Sequence, residues 1–71
     1  MEKTVQIYTE FVTLGQFLKI IDKINSGGEA KVFLQEYPVL VDGERETRRG
    51  RKLYAGMCVT LDSVVYHVEK K

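Results

Sequence analysis

A chain of 71 residues with 44% hydrophobic and 30% charged side chains has the make-up of one small globular domain, spanning residues 1–71. One cysteine excludes an internal disulfide framework, and no apolar run approaches the roughly 18 to 20 residues of a membrane-spanning helix. The formal net charge of +1 conceals how unevenly the charge is laid out along the chain. Met1-Glu2-Lys3-Thr4-Val5-Gln6 has none of the three parts of a secretory signal, so a cytoplasmic location without a membrane partner is expected. So short a chain leaves little scaffold for a two-substrate active site, so binding is expected rather than catalysis, with no cofactor and no small-molecule substrate.

Thr4 to Tyr8 alternates apolar and polar residues and reads as a half-buried strand. Glu10 to Val12 leads into a marked helix start, where Thr13 as N-cap and Gln16 three residues later form a capping box and Val12 can staple onto Phe17. Leu14, Phe17, Leu18, Ile21 and Ile24 fall on one face, which predicts a helix from about Leu14 to Ile24 with Lys19, Asp22 and Lys23 on the other side. Asn25-Ser26-Gly27-Gly28 breaks this helix, and Ser26 with Glu29 repeats the capping-box pattern. Ala30, Phe33, Leu34 and Tyr37 make the second apolar face, and Pro38 ends it by turning Tyr37 away from helical angles.

Val39-Leu40-Val41 followed by Asp42-Gly43 predicts a tight hairpin with a brief return strand from Glu44. Tyr54 to Met57 turns around Gly56. Cys58 to Leu61 and Val64 to Val68 read as strands joined by Asp62-Ser63. The fold class expected is α+β, two packed helices followed by a small, mostly antiparallel sheet.

Glu44 to Tyr54 holds five basic and two acidic residues, a net +3, whereas the other sixty residues carry six basic and eight acidic, a net −2. Five of eight residues from Arg45 to Lys52 are basic. Charge segregated in this way points to a polyanionic partner, although a charge run is more often only a solvated loop. Arginine suits that partner because its planar fork binds phosphate bidentately and its face stacks on bases. Gly50 would let the backbone approach a phosphate, and Tyr54 is either a stacking ring or half-buried core. Arg45, nearest the hairpin, is expected to be partly structural and paired with Glu44 or Glu46. Ser26-Gly27-Gly28 leaves the next helix's first N–H groups beside residues without bulk, a fitting place for phosphate, although Glu29 opposes an anion. Lys31 lies within the same turn region, and Lys19 and Lys23 can extend the surface.

The run from Ser26-Gly27-Gly28-Glu29-Ala30-Lys31 through Val39-Leu40-Val41-Asp42-Gly43, with the basic residues after it, resembles the core of the S4 RNA-binding domain, and the likeness covers about residues 13–61. The length and Arg48-Arg49-Gly50-Arg51-Lys52-Leu53-Tyr54 resemble more particularly the short, stand-alone bacterial S4 proteins of the YaaA type. The resemblance implies the αL motif, a helix pair with a β-hairpin that binds structured RNA, often ribosomal RNA, with a role in large-subunit assembly. The positions it marks for RNA are Ser26, Gly27, Gly28 and Lys31, then Arg48, Arg49, Arg51 and Lys52, with Arg45 and Tyr54 beside them. Two departures are Gly27, where many members carry a basic residue, and Gly56-Met57, where many have Gly-Asp. Replacing Arg48, Arg49 and Arg51 together by alanine is expected to weaken RNA binding and leave the fold intact.

Two alternatives stand beside this reading: an adaptor whose basic loop docks an acidic protein, and a detached targeting module for an RNA-modifying enzyme. The residues supply no clustered nucleophile, base or metal set, and no metal site is expected. Cys58 reads as a buried small hydrophobe, and His67 has no second His or Cys at ligand spacing.

Overall fold

Period-2 alternation builds the sheet and two amphipathic helices cover it. The computed structural model describes residues 1–71. In chain order the elements are β1 (Glu2–Ile7), β2 (Phe11–Thr13), α1 (Leu14–Ile20), α2 (Gly27–Glu36), β3 (Leu40–Val41), β4 (Glu44–Arg45), β5 (Lys52–Tyr54), β6 (Cys58–Leu61) and β7 (Val64–Lys70). The main sheet runs β1-β7-β6-β3-β4. Its β1–β7 pair is parallel and the other pairs are antiparallel, so the sheet is mixed. A second, two-stranded sheet joins β2 to β5.

Only one face of the main sheet is covered. Val5 and Ile7 of β1, Tyr66 and Val68 of β7, Val59 and Leu61 of β6, and Val41 of β3 point inward and are buried. They meet Leu14, Phe17 and Leu18 of α1, Ala30 and Leu34 of α2, and Leu53 of β5 in one apolar cluster. Phe17 stands edge-on to Tyr66, with ring centroids 5.6 Å apart, an arrangement that satisfies both ring quadrupoles.

The capping box at Thr13 forms as its spacing implies. Thr13 Oγ1 accepts from the Gln16 N–H at 3.2 Å, and Gln16 Oε1 accepts from the Thr13 N–H at 2.9 Å. The helix stops about one turn sooner than expected. Asp22 adopts a left-handed φ of 62°, and the Lys23 N–H closes on the Leu18 carbonyl at 2.9 Å. Ile24 folds back and is only 5% exposed, so the apolar periodicity outlasts the helix. The second end agrees with expectation: Tyr37, before Pro38, is extended at φ −117°, ψ 135°.

The Ser26 capping box does not form. The Ser26 side chain makes no hydrogen bond to the backbone of the first turn of α2; its hydroxyl is 3.5 Å from Glu29 Oε1 instead. The short sheet of β2 and β5 adds to the expected elements, since three-residue strands carry too little alternation to mark themselves in the sequence. Its register sets Phe11 opposite Tyr54, Val12 opposite Leu53 and Thr13 opposite Lys52. Asp42 and Gly43 both have positive φ, 50° and 87°, as a two-residue hairpin of matching twist requires. Asp42 is further held there by its carboxylate, which accepts from the Cys58 N–H at 2.9 Å. No helix is long and apolar enough to cross a membrane.

Candidate nucleic-acid interface

The loop from Glu46 to Arg51, between β4 and β5, is built around a buried acid. Glu46 is 6% exposed. Its Oε2 accepts from the backbone N–H groups of Thr47 at 3.1 Å and Arg48 at 3.0 Å, and from Arg48 Nε at 3.0 Å. Its Oε1 accepts from Arg48 Nη2 at 3.2 Å and Arg51 Nη1 at 2.9 Å. The Arg48 guanidinium is thus held in a two-pronged fork. Hydrogen bonding from Arg48 pulls the Glu46 carboxyl down from 4.5 to about 2, against the opposing effect of burial. The same bond raises the pKa of Arg48.

The loop's carbonyls clamp the first helix. Leu14 N–H donates to the Arg51 carbonyl at 2.8 Å and Gly15 N–H to the Arg49 carbonyl at 2.9 Å. Together with the Thr13–Gln16 box, these bonds satisfy the start of α1. The Arg49 side chain reaches the other way, donating from Nη1 to the Gly27 carbonyl at 3.2 Å. A groove of about 270 Å³ lies here, bordered by Gly15, Lys19, Gly27, Arg49 and Gly50. Beyond Gly50 opens a second recess of about 490 Å³, lined by Arg48, Arg51, Lys52, Tyr54 and Met57. Lys52 Nζ sits 4.8 Å from the centroid of the Phe11 ring, and the Tyr54 ring lies 5.7 Å from the same ring.

Residues 5–69 match the family model described as "S4 domain". The chain belongs to the S4 domain family. It is also similar to the protein named "Probable ribosome maturation protein RlbA" of Bacillus subtilis (strain 168), with 55% identity over 62 residues that span 87% of each chain.

Within this S4 domain the residues singled out in the sequence separate into distinct places. Gly27 and Arg49 share the smaller groove with Lys19. Lys31 is exposed one helical turn beyond Gly27, on the same flank of α2. Arg48, Arg51, Lys52 and Tyr54 share the larger recess. Gly28 faces elsewhere, into a depression it forms with Glu29 and Glu36, and Ser26 leans on Glu29. Lys23 is diverted from the surface by an exposed ion pair with Asp62 at 3.1 Å.

Arg45 corrects an expectation. It makes no ion pair with Glu44 or Glu46. It stands opposite Leu40 in the register, whereas the neighbouring Val41 points into the core. Alternation therefore puts Arg45 on the open face of the sheet, away from both grooves. The acid it was assigned belongs to Arg48 and Arg51. Three further features emerge in the structure. In the sequence Glu46 figures as a negative charge in a basic run and a candidate partner of Arg45, although it also stands two before Arg48 and five before Arg51. Phe11 supports both Lys52 and Tyr54 across a strand pair that no spacing announces. Cys58 and His67 are nine residues apart but paired across β6 and β7, with Sγ 3.4 Å from Nδ1, and His67 Nε2 is 2.5 Å from Glu2 Oε1. No group of three or more His, Cys, Asp or Glu side chains is arranged to hold a metal ion.

Proposed function

We propose that this S4 domain is a non-catalytic RNA-binding protein of the cytoplasm that grips the phosphate backbone of folded ribosomal RNA during maturation of the large subunit. The observation that carries the reading is the Arg49–Gly27 hydrogen bond, which joins the basic loop to the start of α2 and sets Lys19 beside them. Helices α1 and α2, the β3–β4 hairpin and the loop after it are taken together as the family's αL motif, and residues 1–71 as one binding unit. The name of the Bacillus subtilis relative supports a place in ribosome maturation.

The chemistry favours backbone over sequence readout. The open start of α2 contributes donors whose side-chain cap is missing, and Arg49, Lys19 and Lys31 contribute charge. An A-form helix offers its phosphates and sugars to such a surface, while its major groove is too narrow for side chains to read. The pinned pair Arg48 and Arg51 retains one net positive charge after Glu46 is counted, and Lys52 adds another.

Crosslinking in cells followed by sequencing of the attached RNA tests the target, with enrichment of large-subunit ribosomal RNA expected. Binding of purified subunits and ribosomal RNA should fall with salt at a log–log slope of about −3 to −4, for roughly four phosphates neutralised. Salt-independent association, or partners that survive nuclease treatment, would instead favour a protein-docking role.

A further inference from the structure

The larger recess is poorly suited to the phosphate that the smaller groove suits, although the two adjoin at Gly50. Each cation around it already has an internal partner: Arg48 and Arg51 share Glu46, and Lys52 rests over Phe11. A phosphate entering here would find the Nε–Nη2 edge of Arg48 and an Nη1 N–H of Arg51 already given to Glu46, and would approach a carboxylate that is held ionised. The flat faces, however, remain available. The Arg48 side chain is 74% exposed although its Nε–Nη2 edge is taken, Tyr54 is 46% exposed, and Met57 lines the same recess.

We propose that this recess receives a single unpaired nucleobase, so that the preferred RNA is a helix interrupted by an extruded nucleotide, and not continuous duplex. The inference rests on the RNA-binding reading above and specifies what that RNA must display. Aromatic rings, guanidinium planes and thioethers are the groups on which unstacked bases settle. Here they are held in advance. Tyr54 is fixed by its strand pairing with Phe11, by the ring of that residue, and by an N–H bond to Met57 Sδ at 3.2 Å. Glu46 locks the Arg48 plane from behind. Such preorganisation lowers the ordering cost of binding.

Size and access agree. About 490 Å³ falls within the roughly 300–1,000 Å³ typical of sites for small organic groups. Gly50 stands at the rim shared by the two sites, and a Cβ there would meet nothing within 4 Å. The backbone seated against Arg49 and Gly27 can therefore send one base past Gly50 without meeting a side chain.

The test uses the full chain and two short RNA hairpins, one with a single bulged 2-aminopurine and one fully paired, at low salt. The wild-type protein is expected to bind the bulged hairpin about 5- to 100-fold more tightly and to change the 2-aminopurine fluorescence. Tyr54→Leu should remove that preference and the fluorescence change while leaving affinity for the paired hairpin unaltered, and Tyr54→Phe should keep both. Circular dichroism confirms that each variant is folded; if Tyr54→Leu is not, Met57→Ala supplies the same comparison. Equal affinity for the two hairpins, or a preference that survives Tyr54→Leu, overturns the nucleobase site and leaves the RNA-binding reading standing. Binding to neither hairpin overturns both.

Discussion

The two sides of the basic loop carry similar residues and differ in what those residues have already done. On one side Arg48 and Arg51 are bound to Glu46, and Lys52 to the face of Phe11. On the other, Arg49 makes one exposed bond to a carbonyl, Lys19 has no acidic partner, and the start of α2 lacks its side-chain cap. Formal charge therefore misstates where an anion is received. Arginines matched to a carboxylate are suited chiefly to structure and to flat surface; the less encumbered cations and backbone donors are the ones free to meet phosphate.

The largest expected effect comes from removing the acid that creates the difference. Glu46→Gln keeps the shape but removes the charge that two guanidinium groups share, and should cost about 2 to 3 kcal/mol at pH 7 by urea denaturation. The pH dependence follows from the direction of the shift. Because the folded carboxyl is lowered from 4.5 to about 2, its contribution is complete above pH 4.5 and is lost as pH falls towards 2. Wild-type and Glu46→Gln stability curves should thus converge in acid, and a constant offset between them would show that the ion pairs are not its source. The same geometry revises the expectation for the triple alanine variant of Arg48, Arg49 and Arg51. Removing both partners leaves Glu46 buried and uncompensated, so the loop should loosen and lost RNA binding would no longer report contact alone.

A cleaner probe lies on the open side. Arg49→Ala removes a cation whose only side-chain bond is exposed, so stability should change by less than about 1 kcal/mol. RNA affinity should drop uniformly across sequences, and the log–log salt slope should become shallower by about one. Lys19→Ala should do the same with almost no effect on folding. If neither variant alters the slope, the smaller groove does not hold phosphate.

Much of the fold can be read in the residues, for identifiable reasons. Thr13 with Gln16, Pro38 after Tyr37, and Asp42-Gly43 each act through neighbours within four positions, so their consequences are local and survive into the structure. Ser26 with Glu29 carries the same pattern as Thr13 with Gln16 and fails to box. The difference lies outside the motif. Both residues are extended, but Thr13, paired with Lys52 in β5, sits at φ −81°, while Ser26, in no strand, sits at φ −142° and its hydroxyl finds the Glu29 carboxylate. In the site, a charge count located the loop but could not divide it, because the division depends on how deeply Glu46 is buried and on a cross-strand neighbour, Phe11. Arg45 misleads for a related reason: adjacency in sequence to Glu44 and Glu46 means opposite sides of a strand.

The smallest expected effect separates the two helix starts. Thr13→Ala removes a cap that accepts at 3.2 Å and should destabilise the protein by about 1 kcal/mol. Ser26→Ala removes a hydroxyl that makes no bond to the backbone of α2 and should cost no more than a few tenths of that. RNA reverses the ranking. With the Ser26 hydroxyl gone, Glu29 loses its neighbour at 3.5 Å and its carboxylate is freer to compete for the first-turn N–H groups, which should lower RNA affinity modestly, by about 2-fold. Thr13→Ala should leave affinity unchanged once the protein is folded, because the first donors of α1 are already taken by the Arg49 and Arg51 carbonyls. Equal destabilisation by the two substitutions would mean that Ser26 caps α2 in solution, and the open helix start, with its share of the phosphate groove, would have to be given up.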